Sequence, residues 1–330
     1  MHLAFLSLLA FAQTPPVIEA EGLEWSWEAQ QHRRYYIETE TQLPLFMWFV
    51  ADRNKQARVA AFQVRTVLDC VATDPMGKKG WYLDCLVDDV GLRAASLQGD
   101  TGLLPPILEE MDAKLTGATI KIRLKNDGRV VQMEMADQDQ LNRRVSQMNE
   151  NLRLVMARVV AGFDLQLPPK GVARDGAWAQ YQNMLLQAPS TQGRTGASEV
   201  VHGISKAEGS KVSLASSGRG MISSGEETAS GPLNMYDTRY EGVALFDVES
   251  GMLKERIWTV IGEPTASSQI ATGAAGILYG QRGVLQYLAP NEMVEVGETV
   301  ETGLPGATVT ALQQWVPLGE PAGSVHEAAK

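Results

Sequence analysis

The chain has few cations and few of the residues that build metal sites. It carries 29 Lys and Arg against 39 Asp and Glu, a net charge of −10. This balance argues against nucleic-acid binding, which needs clustered Lys and Arg, and against electrostatic docking on anionic lipid. Its four histidines, His2, His32, His202 and His326, are scattered and form no His-Glu-x-x-His motif. We therefore expect no metal site and no cofactor.

The common catalytic motifs are also missing. The sequence contains no Gly-x-Ser-x-Gly, no P-loop and no dinucleotide fingerprint. The carboxylate pairs Asp88-Asp89 and Glu109-Glu110 are typical of solvated surface positions rather than of acid/base catalysis. We expect a protein that is not an enzyme, while a hydrolase built from non-adjacent residues stays an alternative.

Apolar runs of membrane-spanning length are lacking as well. The run Leu3–Phe11 is too short to cross a bilayer, which takes about 20 residues. It ends in Ala10-Phe11-Ala12, a pattern typical of signal peptidase sites, so we predict cleavage between Ala12 and Gln13. A buried N-terminal strand or helix is the alternative. Export predicts a soluble mature protein that is periplasmic or secreted.

Cysteine is scarce, with one residue at the end of each of two Leu-Asp-Cys triplets. Cys70 and Cys85 flank a turn-rich stretch between strands predicted over 56–73 and 79–92. A hairpin centred near residues 77–78 places them directly opposite each other, which predicts a disulfide. An oxidising compartment would preserve it. Two free thiols are an alternative, and a redox-active pair lacks the usual Cys-x-x-Cys spacing.

Alternation of apolar and polar residues is the main structural signal. It predicts strands over 22–28, 33–40 and 45–51, with Pro44 separating the last two. Residues 45–50 ("LFMWFV") are apolar at every position, which fits either a strand buried on both faces or one that offers an apolar face to a ligand. Gly and Ser dominate 216–232, where we predict a mobile loop, and the tail 317–330 is expected to be disordered.

One long amphipathic helix is predicted over Asp137–Phe163. Its apolar positions recur at steps of four and three and form a single stripe: Leu141, Val145, Met148, Leu152, Val155 and Val159. Since Met156, Val160 and Phe163 widen this stripe, we expect the helix to lie on the chain's own sheet. An intermolecular coiled coil is the alternative.

The sequences on either side of this helix are similar in pattern. Residues 117–135 and 242–260 each contain a strand that starts at Gly, a polar turn that ends in Gly, and a returning strand. Two related β-meanders explain this, although two unrelated hairpins would look alike. We predict a mainly β (α+β) fold, a strongly curved antiparallel sheet, with these boundaries: signal peptide 1–12, N-terminal meander 13–136, connecting helix 137–163, C-terminal meander 164–316 and tail 317–330.

Three motifs resemble those of a group of uncharacterised exported bacterial proteins. They are a strand near the mature start that contains Tyr36–Thr39, an Asp-Gly-Arg-Val turn at Asp127–Val130, and an "LPPKGVARDGAW" segment at Leu167–Trp178. These proteins are similar in outline to the lipoprotein-carrier (LolA-like) fold, in which a curved antiparallel sheet cradles helices. The resemblance implies an apolar groove between sheet and helix, and it implies no catalytic residues.

These observations predict an exported monomer that binds an apolar small molecule or lipid. We expect Phe46, Trp48, Met148 and Met156 to line part of the groove, because Met and aromatic side chains form adaptable apolar surfaces. The same residues would serve equally as ordinary core. A structural or adaptor protein of the envelope that acts through protein contacts is the second function class, and the hydrolase is the third.

Overall fold

The computed structural model describes residues 23–52, 55–75, 80–95, 104–135, 152, 155–168, 177–184, 196–228, 231–265, 279–290 and 292. Within them, one antiparallel sheet of 11 strands accompanies two helical segments. The elements are β1 (His32–Asp52), β2 (Lys55–Pro75), β3 (Trp81–Ala95), α1 (Leu104–Leu115), β4 (Thr119–Leu124), β5 (Val130–Met135), α2 (155–160), β6 (Trp178–Met184), β7 (Gly196–Glu208), β8 (Lys211–Thr228), β9 (Gly231–Asp247), β10 (Met252–Pro264) and β11 (Tyr279–Leu288).

The sheet consists of two meanders that meet in its middle. The strand order is β5-β4-β3-β2-β1-β11-β10-β9-β8-β7-β6, so every neighbour in space is a neighbour in sequence except β1 and β11. The first meander therefore runs outward from the centre, and the second begins at the far edge and returns. The prediction of a mainly β, curved antiparallel sheet is confirmed. The domain boundaries stay a prediction.

Short turns with glycine fix the hairpins. Gly128 and Gly251 have φ values of 85° and 59°, a region that L-residues with a Cβ rarely adopt. In the β2–β3 hairpin, Cys70 pairs directly with Cys85, and the two form a disulfide. The predicted pairing of the cysteines is confirmed.

Hydrogen bonds made by two adjacent residues, Gln166 and Leu167, show how strongly the sheet curls. Gln166 accepts a hydrogen bond from the indole of Trp178 at 2.8 Å, on the edge strand β6. The next amide, Leu167 N–H, donates to Asp127 O at 2.7 Å, in the turn that leads to the opposite edge strand β5. In a flat sheet of 11 strands these edges would lie about 50 Å apart. The sheet is therefore rolled until both edges reach the same short segment.

Residues 23–28 form no strand, and the strand predicted there is wrong. They cross the end of the rolled sheet instead, where Trp25 N–H donates to Asn126 O and Ser26 N–H donates to Gly251 O. Leu23, Trp25 and Trp27 are nevertheless buried, so the period of two in the sequence is real. It records alternate side chains that enter the core from an extended crossing segment, not pairing in a ladder.

The helix lies inside the curl of the chain's own sheet. Leu152 and residues 155–160 are helical, and Leu152, Val155 and Val159 are all at least 95% buried. This confirms the location of the described turns and excludes a coiled coil for them. Leu141, Val145 and Met148 lie outside the described residues, so the full length of the helix stays a prediction.

Two further expectations are wrong. The strands predicted over 33–40 and 45–51 are one strand, β1, whose pairing with β2 shifts between Gln42 and Met47. Pro44 falls in that irregular stretch, where a missing N–H does no harm to the ladder. The loop predicted over 216–232 is mostly β8 and β9. Its glycines are strand residues. The close approach of the neighbouring strand requires glycine at Gly218, because a Cβ there would lie 2.5 Å from Glu199 O.

Candidate functional site: the concave face of the sheet

The two faces of the central strands carry different chemistry. Along β1, Tyr35 and Ile37 enter the main hydrophobic core, whereas Glu38 and Glu40, which follow them, point to the convex face. There, Arg65 Nε lies 3.2 Å from a Glu38 oxygen, and Arg282 Nε donates to Glu40 Oε2 at 2.8 Å. Burial raises the pKa of the Glu40 carboxyl, and the neighbouring Arg282 opposes that rise. The convex face of β1 thus carries ion pairs, beside a small buried apolar cluster of Tyr36, Val67 and Leu288, and the main apolar core lies on the concave face.

Aromatic rings close one end of the concave face. Tyr35 and Phe163 make an edge contact with ring centroids 5.0 Å apart, and Trp25 meets Phe246 at 6.0 Å. Trp27 contacts Tyr35 in the same group, and the guanidinium of Arg33 lies over the Trp27 ring, 4.3 Å from its centroid. The four rings in the two edge contacts are each at most 1% exposed. This end of the interior is therefore filled by protein.

Glycines let further rings lie flat on the sheet. Gly283 on β11 pairs with Trp258 on β10, and a Cβ at Gly283 would lie 2.1 Å from Trp258 Cζ2. Gly242 on β9 similarly leaves room for the ring of Tyr240. Aromatic side chains of β9 and β10 cover the middle of the concave face in this way.

Arg256 holds the end of α2 against the sheet. Its Nη1 donates to Ala161 O and Gly162 O, both at 3.0 Å, and its Nη2 donates to the Tyr240 hydroxyl at 3.0 Å. A guanidinium satisfies carbonyls at a helix C-terminus and also complements the negative end of the helix dipole. Burial raises the pKa of nearby Asp164, and the charge of Arg256 opposes that rise.

A buried hydrogen-bond chain links strands β6, β7 and β8. Gln166 N–H donates to Gln180 Oε1 at 3.0 Å, and because a backbone amide can only donate, this contact fixes the orientation of the side-chain amide. His202 Nε2 lies 3.0 Å from the same oxygen and must therefore carry the proton. His202 Nδ1 then accepts from the Ser216 hydroxyl at 2.7 Å. Desolvation by burial, aided by the charge of Arg256, lowers the pKa of His202 to about 4.

In this hydrogen-bond chain, the Ser216 hydroxyl donates to a neutral imidazole, an arrangement that is also found in enzymes with a serine nucleophile. Ser216, however, lies within β8, which pairs with β7 on one side and with β9 on the other. Its neighbouring backbone N–H groups are therefore engaged in the sheet, and the described residues offer none to stabilise an oxyanion there. The hydrogen bonds stabilise the packing of the edge strand β6 against β7. The rings of Trp178 and His202 are stacked with centroids 5.6 Å apart and stabilise it further.

The residues predicted to line a groove are only partly described. Met156 is 1% exposed and packs within the core. Phe46 and Trp48 belong to the part of β1 that lies past its pairing with β11, but their side chains are outside the described residues, as is Met148 altogether. The groove formed by these four residues stays a prediction.

A polar row that sequence reasoning missed crosses the middle of the interior. Thr39 and Thr41 on β1 are 1% exposed, and neither hydroxyl has a hydrogen-bond partner among the described residues. Thr41 pairs with Gln281 on the neighbouring β11, and Gln281 Oε1 accepts from Arg158 Nη1 of α2 at 3.1 Å. The sequence did contain a signal: these threonines alternate with Glu38 and Glu40, so strand periodicity puts them on the opposite face.

Other features of the described residues give no competing site. They contain no group of three or more His, Cys, Asp or Glu side chains that could hold a metal ion. None of the helices described is both long and apolar enough to cross a membrane. A hollow of about 280 Å³ lies beside β3–β5, where its wall includes Tyr82, Asp84, Arg123 and Glu134. These side chains have mixed charge and select no ligand class.

Comparisons with known proteins give little further information. No family model matches the chain, and no curated protein matches it. Among solved structures, the chain is similar to one described as "Lipid-protein interactions in lipovitellin", with 8% sequence identity and a TM-score of 0.42. The match covers 84% of this chain, which spans about a quarter (26%) of that one. A likeness this distant carries no argument about function.

Proposed function

We propose that this is an exported, non-enzymatic protein that binds an apolar ligand or lipid on the concave face of its rolled sheet. The observation that carries the proposal is the contrast between the two faces. The convex face of β1 bears the ion pairs of Glu38 and Glu40, while the concave face holds the main apolar core, crossed by the polar row at Thr41 and Gln281, and curls until the two sheet edges share one short segment. A deep apolar concavity is the usual form of a small-molecule site.

The arrangement of the interior supports binding toward one end. The aromatic group around Phe163 fills the end crossed by residues 23–28, so entry is favoured from the opposite end, where β1 and β2 continue past the row of Thr41 and Gln281. Leaving a buried hydroxyl unpaired costs about 1–3 kcal/mol. A ligand with an apolar chain and a polar head that reaches Thr39 and Thr41 would recover this energy.

The disulfide supports the cellular location. Disulfides persist in oxidising compartments and are rare in the reducing cytosol. The Cys70–Cys85 bond is therefore compatible with a protein outside the cytoplasm. The more specific placement, periplasmic or secreted after cleavage between Ala12 and Gln13, belongs to the proposal.

A titration with matched variants tests the binding function. Delipidated protein is titrated with fatty acids and phospholipids of increasing chain length, while tryptophan emission is followed in the wild type and in Trp48→Phe. Thr41→Val removes the inward hydroxyl at nearly constant volume, and Thr259→Val makes the same change at a buried position that alternation places on the convex face. We expect saturable binding that strengthens with chain length and weakens only in Thr41→Val. Absence of binding for every lipid would refute the proposal.

The second candidate is an adaptor that binds another protein through the sheet edges. The observation in its favour is that the edge strand β5 leaves Val131 44% exposed and has its outer backbone edge unpaired within the described residues. A native mass spectrum of protein purified from its host separates the two candidates. Retained lipid supports the carrier, and a stoichiometric protein partner supports the adaptor.

A further inference from the structure

A cross-strand row of side chains brings a buried arginine over Thr41. The pairing register places Phe62 on β2, Thr41 on β1 and Gln281 on β11 side by side on the concave face. Arg158 of α2 contacts both ends of this row. Its Nη1 donates to Gln281 Oε1 at 3.1 Å, and its Cζ lies 5.8 Å from the centroid of the Phe62 ring. The guanidinium therefore lies over the position of Thr41, between the two residues that it contacts.

Hydrogen-bond donors predominate at this point of the interior. Thr39 and Thr41 share a face of β1, both side chains are buried, and each has a hydroxyl without a partner among the described residues. Arg158 is 2% exposed, and its guanidinium has N–H groups that can only donate and a positive charge that it keeps when buried. We call Thr39, Thr41, Gln281 and Arg158 the polar cluster.

The surroundings of the polar cluster are apolar. Thr39 pairs with Val64 on β2 and with Gly283 on β11, and the ring of Trp258 lies on that glycine. Ile37, the preceding inward-facing residue of β1, belongs to the main hydrophobic core. In such surroundings a hydrogen bond is electrostatically stronger than it is in water. The charge of a group that reaches the polar cluster therefore strongly affects how tightly that group is held.

An anionic head group fits the polar cluster better than a neutral or a cationic one. A carboxylate or phosphate oxygen only accepts hydrogen bonds, and both groups can take parallel N–H donors from a guanidinium. Hydrogen bonds to an ionised acceptor are about twice as strong as those between neutral groups. An ammonium group would instead bring a second positive charge beside Arg158. The polar cluster thus discriminates between amphiphiles by the charge of their head groups.

We propose that the polar cluster binds the anionic head group of a single-chain amphiphile, of which a fatty acid is the simplest, with donors from Arg158, Thr39 and Thr41. The hydrocarbon chain extends toward the end of the interior opposite to the aromatic group. The hydrogen bond from Arg158 to Gln281 holds the guanidinium in position for the ligand. This inference rests on the proposed lipid-binding function and narrows it, because it names the head group that the interior selects.

Ligands that share one hydrocarbon chain and differ in head group test the proposal. Delipidated mature protein is titrated by calorimetry at neutral pH with decanoic acid, decyl phosphate, decanol and decyltrimethylammonium, each below its micelle concentration. We expect at least one of the two anions to bind about tenfold or more tightly than decanol, and the ammonium to bind more weakly than decanol. The tighter of the two anions identifies the head group as a carboxylate or a phosphate.

The outcomes separate this inference from the function on which it rests. If decanol binds as tightly as both anions, the anion site is wrong and the carrier function stands. If none of the four ligands binds, both are wrong.

Matched arginine variants test the role of Arg158. Arg158→Met removes the charge at similar length, and Arg158→Lys keeps it. Arg239→Met removes an exposed arginine from the convex face, next to Tyr240, which lies in the same cross-strand row as Gln281. We expect Arg158→Met to lower the affinity for the preferred anion to about that for decanol, Arg158→Lys to keep part of the preference, and Arg239→Met to change neither affinity. An equal loss for the anion and for decanol in Arg158→Met would mean that Arg158 only anchors α2, and would overturn the proposal.

A spectroscopic measurement on the wild type covers the case in which Arg158→Met does not fold. Decanoic acid labelled at its carboxyl carbon is titrated with acid by NMR, free and bound to the protein. A nearby positive charge favours the ionised form, so the carboxyl should titrate at a lower pH when bound than when free. Titration at a higher pH would place the head group in apolar surroundings away from the guanidinium, and the proposal would be wrong.

Discussion

The buried His202 should make the protein less stable in mild acid. Its pKa falls to about 4 in the folded chain, below its ordinary value of 6.5, because burial disfavours the imidazolium and Arg256 repels it. Between these two pH values the unfolded chain binds a proton that the folded chain does not. Stability from this group is therefore fully present above pH 6.5 and is lost as the pH falls toward 4. The difference in pKa corresponds to about 3 kcal/mol.

Urea unfolding at a series of pH values between 7.5 and 4 measures this contribution, with the disulfide intact. Carboxyl groups whose pKa is raised by burial, such as Glu40 and Asp164, change the stability in the opposite direction, so the difference between wild type and His202→Gln is the informative quantity. We expect His202→Gln to be destabilised at pH 7.5 by the loss of its contacts. The gap should then close as the pH falls.

A matched control comes from the other histidine within the described residues. The side chain of His32 is 65% exposed and lies 3.0 Å from Asp69 on the sheet surface. His32→Gln measures the effect of losing a histidine outside the core. If the gap between wild type and His202→Gln does not change with pH, then His202 titrates alike in both states and the buried hydrogen-bond chain described above is incorrect.

Three further predictions concern the core. Non-reducing peptide maps should show Cys70 linked to Cys85, and Ser at both positions should cost about 3 kcal/mol for a loop of this size; complete alkylation without reductant would contradict the bridge. Gly283→Ala should cost about 1–3 kcal/mol by forcing the Trp258 ring from its place, and most of that cost should vanish in a Trp258→Ala background if the clash is its cause. Leu152→Ala should cost about 2–5 kcal/mol in thermal or urea unfolding, and a loss below about 1 kcal/mol would mean that the helical residue Leu152 is not packed on the sheet.

Local features of the fold could be predicted from the sequence because their causes are local. The turn residues between Cys70 and Cys85 set the hairpin, and its register then paired the two cysteines. Asn126-Asp127-Gly128 likewise identified the β4–β5 turn, where Gly128 adopts a positive φ. In both cases a few adjacent residues decide the conformation.

The features that were missed depend on contacts between distant residues. Gly and Ser composition between 216 and 232 is typical of loops, yet the ladder with β7 and β9 makes strands of these residues. The roll of the sheet depends on Gln166 and Leu167 reaching opposite edges, which no local pattern reveals. Trp25 and Trp27 alternate like strand residues but lie in a crossing segment. Periodicity reports which side chains are buried, not which backbone they pair with.

The sequence predicted an apolar candidate site, but not the polar residues that lie within it. The concave apolar face follows from strand alternation, but the polar residues inside it were missed because each is ordinary in its local sequence. Thr41, Gln281 and Arg158 come from three distant parts of the chain. Only the roll of the sheet and the position of α2 bring them together, and neither is encoded near any of them.

The pairing of β1 with β11 sets the order in which this protein can be completed. It joins residues 34 and 288, about 250 positions apart, whereas each of the other ladders joins consecutive strands. Each meander can form while the chain emerges, but the edge of β1 has no partner until the last strand arrives. The middle of the sheet is therefore the last part to form. A chain that stopped before Tyr279 would keep most of its strands and yet leave the backbone edges of β1 and β10 that face β11 unpaired, a form prone to aggregate.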